Sequence, residues 1–169
     1  VLAEAEKIPV DIPEKEIQKR LDCRHMTTVT IDPVDAKDFD DAVSISPGKT
    51  AKQVVLGVHI ADVAAYIAPG SEFDKKAVER SFTAYIPGHT LPMLPKSLTK
   101  RISLNEGVES LAHTVLMTVS LTHGEIVDVK RCRSVIKVAK RLNFDEVEEF
   151  ITQDQRGDEG LVEAQFGHL

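Results

Sequence analysis

The sequence contains only two cysteines, Cys23 and Cys132, which lie far apart among its 169 residues. So few cysteines exclude a framework of disulfides, and no CxxC pair is present to hold zinc. No apolar run approaches 18 residues, so we expect no membrane span. The first residues are acidic and lack an apolar segment, so we also expect no secretory signal peptide. Together these features predict a cytoplasmic protein, and the lack of a starting methionine predicts a fragment or processed piece of a longer chain.

Basic residues are in the minority. The sequence has 21 Lys and Arg against 27 Asp and Glu, which gives a net charge of −6. Because modules that bind phosphate are usually basic, the net charge by itself disfavours a nucleic-acid partner. The hydrophobic fraction of 42% and the charged fraction of 28% are typical of a globular domain, and the length suits one domain.

The pattern of apolar and β-branched residues predicts strands followed by interspersed helices. Strands are predicted at residues 28–31, 42–45, 54–60, 113–121 and, as one or two elements, 126–138. Helices are predicted at residues 14–21, 74–84 and 144–151, the last capped by Asn143 or Asp145. The stretch 88–105, which contains prolines, is predicted to be extended and irregular. We therefore expect an α+β fold, with a largely antiparallel mixed sheet and flanking helices, and residues 1–26 as a connector that precedes it.

Aspartates cluster in one short segment. Five of the 13 aspartates fall within residues 32–41, where Lys37 is the single positive charge. Such crowding raises electrostatic repulsion, which Mg²⁺ can offset because it prefers hard oxygen ligands. A loop between two strands can bring Asp32 close to Asp40 and Asp41. The alternative is a solvated acidic loop that caps neighbouring turns, and neither EF-hand nor P-loop spacing is present.

Three sequence blocks follow one another in register. They are Thr30-Ile31-Asp32-Pro33 with Ala36-Lys37-Asp38-Phe39-Asp40-Asp41-Ala42-Val43-Ser44, then Val58 to Ile67, then Ala84-Tyr85-Ile86-Pro87-Gly88 with Leu91 to Pro95 and Ile102-Ser103-Leu104-Asn105. These blocks resemble the RNB family of exoribonucleases. The lead-in up to His25 is similar to the connector in the ribonuclease R branch of that family, so the resemblance covers residues 1 to about 150.

The resemblance implies a hydrolase that degrades single-stranded RNA from the 3′ end and releases nucleoside 5′-monophosphates. It implies one or two Mg²⁺ ions and no organic cofactor. At the matching positions, Asp32 and Asp41 would be direct metal ligands, and Asp38 would support the metal and its waters. Asp40 would be the residue most needed for the chemical step.

The resemblance also assigns a role to Tyr85, which would stack on a base near the 3′ end of the RNA. The alternative for Tyr85 is a core or capping tyrosine at the end of a helix. We interpret His59 as a packed strand residue and Asp62 as a residue that caps or anchors a turn. Asp35 lies outside the family's acidic set and is expected to be exposed.

The match ends about halfway through the family's catalytic domain. Residues 27–169 would therefore be its N-terminal portion, without the arginine and glutamate that complete the family's active site. We expect this fragment to be monomeric and inactive alone. The alternatives are a non-catalytic RNA-binding or regulatory relative, or a structural domain with an exposed acidic loop.

Overall fold

A six-stranded mixed sheet forms the body of the computed structural model, which describes residues 12–155. In the order β1-β8-β2-β3-β4-β7, the strands are Leu21–Asp22, Ile126–Asn143, Thr28–Asp32, Asp41–Pro47, Gln53–Ala61 and Glu109–Ser120. Strands β5 (Ala84–Ile86) and β6 (His89–Leu91) form a separate two-stranded hairpin.

The long strand β8 closes the sheet on itself. Residues Ile126 to Lys137 pair antiparallel with β7, whereas Val138 to Asn143 pair parallel with β2. The series of neighbours β2-β3-β4-β7-β8 therefore returns to β2, as in a small barrel. Strand β1 adds to β8 in parallel, which joins the end of the predicted connector to the sheet.

Within residues 12–155, four α-helices and one short 3₁₀-helix lie between or beside the strands. They are α1 (Glu14–Ile17), the 3₁₀-helix Val63–Ala65, α2 (Glu72–Arg80), α3 (Lys96–Ile102) and α4 (Phe144–Gln155). The amide of Glu146 donates to Asn143 Oδ1 at 3.0 Å, and the amide of Asn143 donates to Glu146 Oε2 at 2.7 Å. This reciprocal capping box confirms the predicted cap at Asn143.

The hydrophobic core lies where the helices meet the closed sheet. Its members from α2, α3, the segment after α3, strand β8 and the acidic segment include Phe73, Leu98, Ile102, Leu104, Ile136, Val138 and Phe39. Phe39 is the core residue among the clustered aspartates, between Asp38 and Asp40. Burial of its ring, worth about 1.5–3 kcal/mol, fixes one point of an otherwise exposed segment.

The α+β fold with a largely antiparallel mixed sheet is confirmed, since only β1 and β2 pair in parallel, both with β8, among the sheet strands of residues 12–155. The prediction of an irregular segment at residues 88–105 is wrong, because the segment contains β6 and α3. Pro95 occupies the N-cap of α3 with φ of −57°, and at a helix start the missing proline N–H costs no hydrogen bond. The first eleven residues of the predicted connector and residues 156–169 lie outside the described part.

Within residues 12–155, no helix combines the length and the apolar character that crossing a membrane would need.

Candidate functional site

The clustered aspartates lie at one end of the neighbouring strands β2 and β3. These strands run antiparallel with Thr28 opposite Ser44 and Val29 opposite Val43, so the end of β2 lies beside the start of β3. Asp32 is the last residue of β2 and Asp41 is the first residue of β3. Asp38 and Asp40 lie in the loop that joins them, as the sequence pattern predicted.

Two backbone hydrogen bonds hold the far end of this loop. The amide of Leu104 donates to the carbonyl of Phe39 at 2.8 Å, and the amide of Ala61 donates to the carbonyl of Asp40 at 2.9 Å. With the Phe39 ring in the core, these bonds leave the side chains of Asp38 and Asp40 exposed on the surface. Asp35 is also exposed, as expected.

The carboxylates interact electrostatically. Partial desolvation raises the pKa of Asp40, and the negative charges of Asp38, Asp41 and Asp32 raise it further. The pKa of Asp32 is also raised, first by burial and then by the charge of Asp41, while Thr30 and Arg141 act in the opposite direction. The neighbouring carboxylates are therefore close enough to oppose the ionisation of Asp40 and Asp32, and a cation among them would relieve that opposition.

The donor set suits a hard divalent cation, but the side chains do not form a finished cage. Asp32 Oδ2 is buried and has no hydrogen-bond partner among the described residues, so it is an acceptor free to take a cation. No three His, Cys, Asp or Glu side chains in residues 12–155 are arranged as a ready metal site. The loop aspartates are exposed and repel one another, so binding would have to draw them toward Asp32.

An apolar cleft of about 260 Å³ opens beside Asp38 and Asp40. Its other walls come from the end of β4, the 3₁₀-helix, the segment after β6 and α3, and they include Ile60, Val63, Pro92, Met93, Leu94 and Ile102. The carboxylates thus lie at the edge of an apolar cavity, which is the usual composition of a ligand site.

Tyr85 lies on the β5–β6 hairpin, whose following segment lines the same cleft. The residue is 77% exposed and lies opposite Thr90 in the register of the hairpin. The alternative of a core or capping tyrosine is therefore wrong. The turn at Pro87 and Gly88 requires a left-handed residue, and Gly88 supplies it with φ of 75°. Two hydrogen bonds stabilise the base of the hairpin. Arg80 Nη1 donates to the carbonyl of Pro92 at 2.7 Å, and the amide of Met93 donates to Thr83 Oγ1 at 3.0 Å.

His59 is fully buried inside the closed sheet, which confirms its interpretation as a packed strand residue. Its Nε2 lies 2.9 Å from Ser44 Oγ, and its Nδ1 lies 2.8 Å from Thr114 Oγ1. Burial lowers the pKa of His59 to about 4, so that the imidazole is neutral at pH 7. The ring therefore organises a polar interior and does not face the cleft.

Asp62 does not cap the 3₁₀-helix that follows it, because its side chain makes no capping hydrogen bond. It forms instead a buried ion pair with Arg20, which links it to a distant segment, so the capping part of the interpretation is wrong. The sequence also gave no signal for Arg141, whose guanidinium contacts the acidic loop. Its partners lie more than 100 residues away, and no local pattern marks such a contact.

Comparison with known proteins gives one family for almost the whole chain. The model of the RNB domain family matches residues 20–166. Ribonuclease R 1 of Lactococcus lactis is 39% identical over 156 residues, which are 92% of this chain and 19% of that protein. The chain thus spans about a fifth of the length of this curated relative.

Solved structures agree on the fold. Mycoplasma genitalium RNase R, solved in complex with ribose-methylated single-stranded RNA, aligns with a TM-score of 0.81 and 29% identity, over 90% of this chain and 23% of that one. Yeast Ssd1, described as a pseudonuclease, aligns with a TM-score of 0.77 and 22% identity, over 85% of this chain and 18% of that one. At 22% identity the second likeness concerns the fold alone, so the same fold occurs in a nuclease and in a pseudonuclease.

Proposed function

Because this chain belongs to the RNB domain family, we propose that it is the N-terminal part of the catalytic domain of a Mg²⁺-dependent 3′→5′ exoribonuclease. The substrate would be single-stranded RNA, and the products would be nucleoside 5′-monophosphates. The observation that carries this proposal is the position of Asp32, Asp38, Asp40 and Asp41 around one end of β2 and β3, at the edge of an apolar cleft.

The four aspartates have distinct proposed roles. Asp32 and Asp41, which are fixed on adjacent strands, would be direct ligands of the ion, and the unpartnered Oδ2 of Asp32 supports this assignment within the described structure. Asp38 would hold the ion's waters. Asp40 would hold the proton of the attacking water during hydrolysis, a role that its position in the loop beside the cleft supports. When bound, Mg²⁺ would shield the anionic phosphodiester and lower the pKa of a coordinated water.

The cleft and the hairpin provide a place for RNA. The apolar walls at Val63, Met93 and Leu94 would exclude water beside the scissile phosphate. The exposed Tyr85 would stack on a base, an interaction that tolerates every base because each has a π-face. A nuclease that removes nucleotides one after another needs this tolerance.

The chain spans about a fifth of the length of its relatives, so the activity proposed is that of the full-length protein. We propose that the 169-residue chain alone does not degrade RNA, because the family's remaining active-site residues lie beyond the match. A second candidate is a non-catalytic RNA-binding relative, since yeast Ssd1 shares the fold and is described as a pseudonuclease. Retention of the complete acidic set, Asp32, Asp38, Asp40 and Asp41, favours the catalytic candidate.

The test is to incubate the full-length protein with Mg²⁺ and single-stranded RNA and to identify the products by chromatography. We expect nucleoside 5′-monophosphates from the wild type and from the matched control Asp35→Asn, which alters an exposed aspartate of the same loop. Asp40→Asn should release no product but should still bind RNA. Product release by Asp40→Asn at the wild-type rate would remove Asp40 from the mechanism, and no monophosphates from the wild type would favour the non-catalytic candidate.

A further inference from the structure

Arg141 reaches from strand β8 into the loop that carries the aspartates. Its Nη2 lies 3.2 Å from the carbonyl oxygen of Pro33, 3.1 Å from that of Val34 and 3.2 Å from that of Ala36. One nitrogen with two N–H bonds thus donates to three carbonyl oxygens. The segment 33–36 must curve around this nitrogen, because three of its four carbonyl oxygens point toward it.

The same guanidinium also contacts the far half of the loop. Its central carbon lies 4.5 Å from the centroid of the Phe39 ring, within the range of a cation–π interaction. Phe39 is 8% exposed and lies between Asp38 and Asp40 in sequence. Arg141 therefore touches the loop on both sides of Asp38.

The position of Arg141 is itself fixed by the sheet. Arg141 is the parallel partner of Thr30 in β2, two residues before Asp32. Its backbone amide donates to Glu106 Oε2 at 2.8 Å. Arg141, which holds the loop, is thus fixed beside the strand that ends in Asp32. It therefore sets the position of the loop aspartates relative to Asp32.

We propose that Arg141 is a positioning residue for the metal site, which shapes the loop 33–39 so that Asp38 and Asp40 can approach Asp32. This inference rests on the proposed metal site. A neutral side chain would leave the three carbonyls without their donor. A lysine would keep the charge. Its ammonium group is not planar, however, so it cannot donate to the carbonyls and also stack on the Phe39 ring as the planar guanidinium does. Replacing a residue that orients metal ligands, without binding the metal itself, commonly lowers metal affinity about 10–100-fold.

The test compares Arg141→Lys and Arg141→Met with the matched control Arg131→Met in the full-length protein. Arg131 is an exposed arginine on the same strand, near its pairing with Val115 and away from the loop. Mn²⁺ affinity is measured by electron paramagnetic resonance, and RNA affinity is measured in EDTA. Amide exchange is followed in EDTA at Ala36, whose N–H donates to the carbonyl of Pro33 at 3.0 Å, and at Gln53, at the distant start of β4, whose N–H donates to the carbonyl of Thr50.

We expect both Arg141 variants to bind Mn²⁺ at least about tenfold more weakly, with faster exchange at Ala36 and unchanged exchange at Gln53. RNA affinity in EDTA should be unchanged, and Arg131→Met should match the wild type throughout. Wild-type values for Arg141→Met, or full rescue by Arg141→Lys, would overturn the inference. If the wild type binds no Mn²⁺, the proposed metal site fails and the positioning of metal ligands fails with it. Faster Ala36 exchange in EDTA would then still show that Arg141 holds the loop.

Discussion

Arg20 and Asp62 form an ion pair that is completely enclosed by protein. Arg20 Nη2 lies 2.8 Å from Asp62 Oδ2, and both side chains are 0% exposed. Arg20 also binds Glu16 through Nε and Nη2, at 3.0 and 2.8 Å. The pair ties the end of the segment before the sheet to the residue that follows β4, so it links two parts of the chain that the hydrophobic pattern alone does not join.

We expect Arg20→Met to destabilise the protein by up to about 3–5 kcal/mol, because it removes the shortest ion pair of the buried Asp62 carboxylate and leaves the more distant His113 at 3.4 Å and Arg133 at 4.0 Å. The measurement is the free energy of unfolding in urea. The matched control is Arg24→Met, which breaks ion pairs of Arg24 with Asp22 and Glu109 that are partly exposed to solvent. Such exposed pairs contribute about 0–1 kcal/mol. Equal losses from the two variants would show that Asp62 does not depend on Arg20.

His59 makes the stability depend on pH. Its pKa is lowered from 6.5 to about 4 by burial, so the folded protein resists a proton that the unfolded chain accepts. The contribution of neutral His59 to the free energy of unfolding is complete above pH 6.5. It falls by about 3 kcal/mol as the pH drops toward 4. We expect the advantage of the wild type over His59→Gln in urea unfolding to shrink across this interval. His89→Gln, at an exposed histidine, should follow the wild type, and a constant advantage over His59→Gln would contradict the assignment.

Tyr85 should matter for RNA and not for folding. Because the residue is 77% exposed, we expect Tyr85→Ala to leave the melting temperature unchanged. The same change should weaken the binding of single-stranded RNA by about 1–3 kcal/mol, the contribution of one stacked base. Fluorescence anisotropy with the full-length protein in EDTA measures this affinity. Tyr85→Phe retains the ring and should bind like the wild type, whereas an equal loss from both variants would point to the hydroxyl instead of stacking.

The features that could be predicted from the sequence are those determined by residues close together in the chain. Strands β2, β3 and β4 alternate side chains toward the interior and exterior, and Thr28, Ser44 and His59 are among the buried ones. The acidic loop was visible because its aspartates are crowded within ten positions. Asn143, one of the two predicted caps, lies next to the start of α4 for the same reason.

The features that the sequence did not predict depend on distant contacts. The parallel pairing of β2 with β8 joins Thr28 to Val138, and no local pattern specifies it. The two residues of β1 are too few to show alternation. The partners of Arg20 and Arg141 are likewise set by the closure of the sheet, which brings together residues that hydrophobic periodicity treats separately.

The binding of a divalent cation by the clustered aspartates can be measured directly as the melting temperature of the chain against Mg²⁺ or Mn²⁺ concentration. A ligand at 100 times its dissociation constant stabilises a protein by about 2.7 kcal/mol. We expect a saturable rise for the wild type and for Asp35→Asn, and a weaker response for Asp32→Asn and Asp41→Asn. A wild-type melting temperature that does not change with either ion would contradict the metal site and the hydrolytic mechanism built on it.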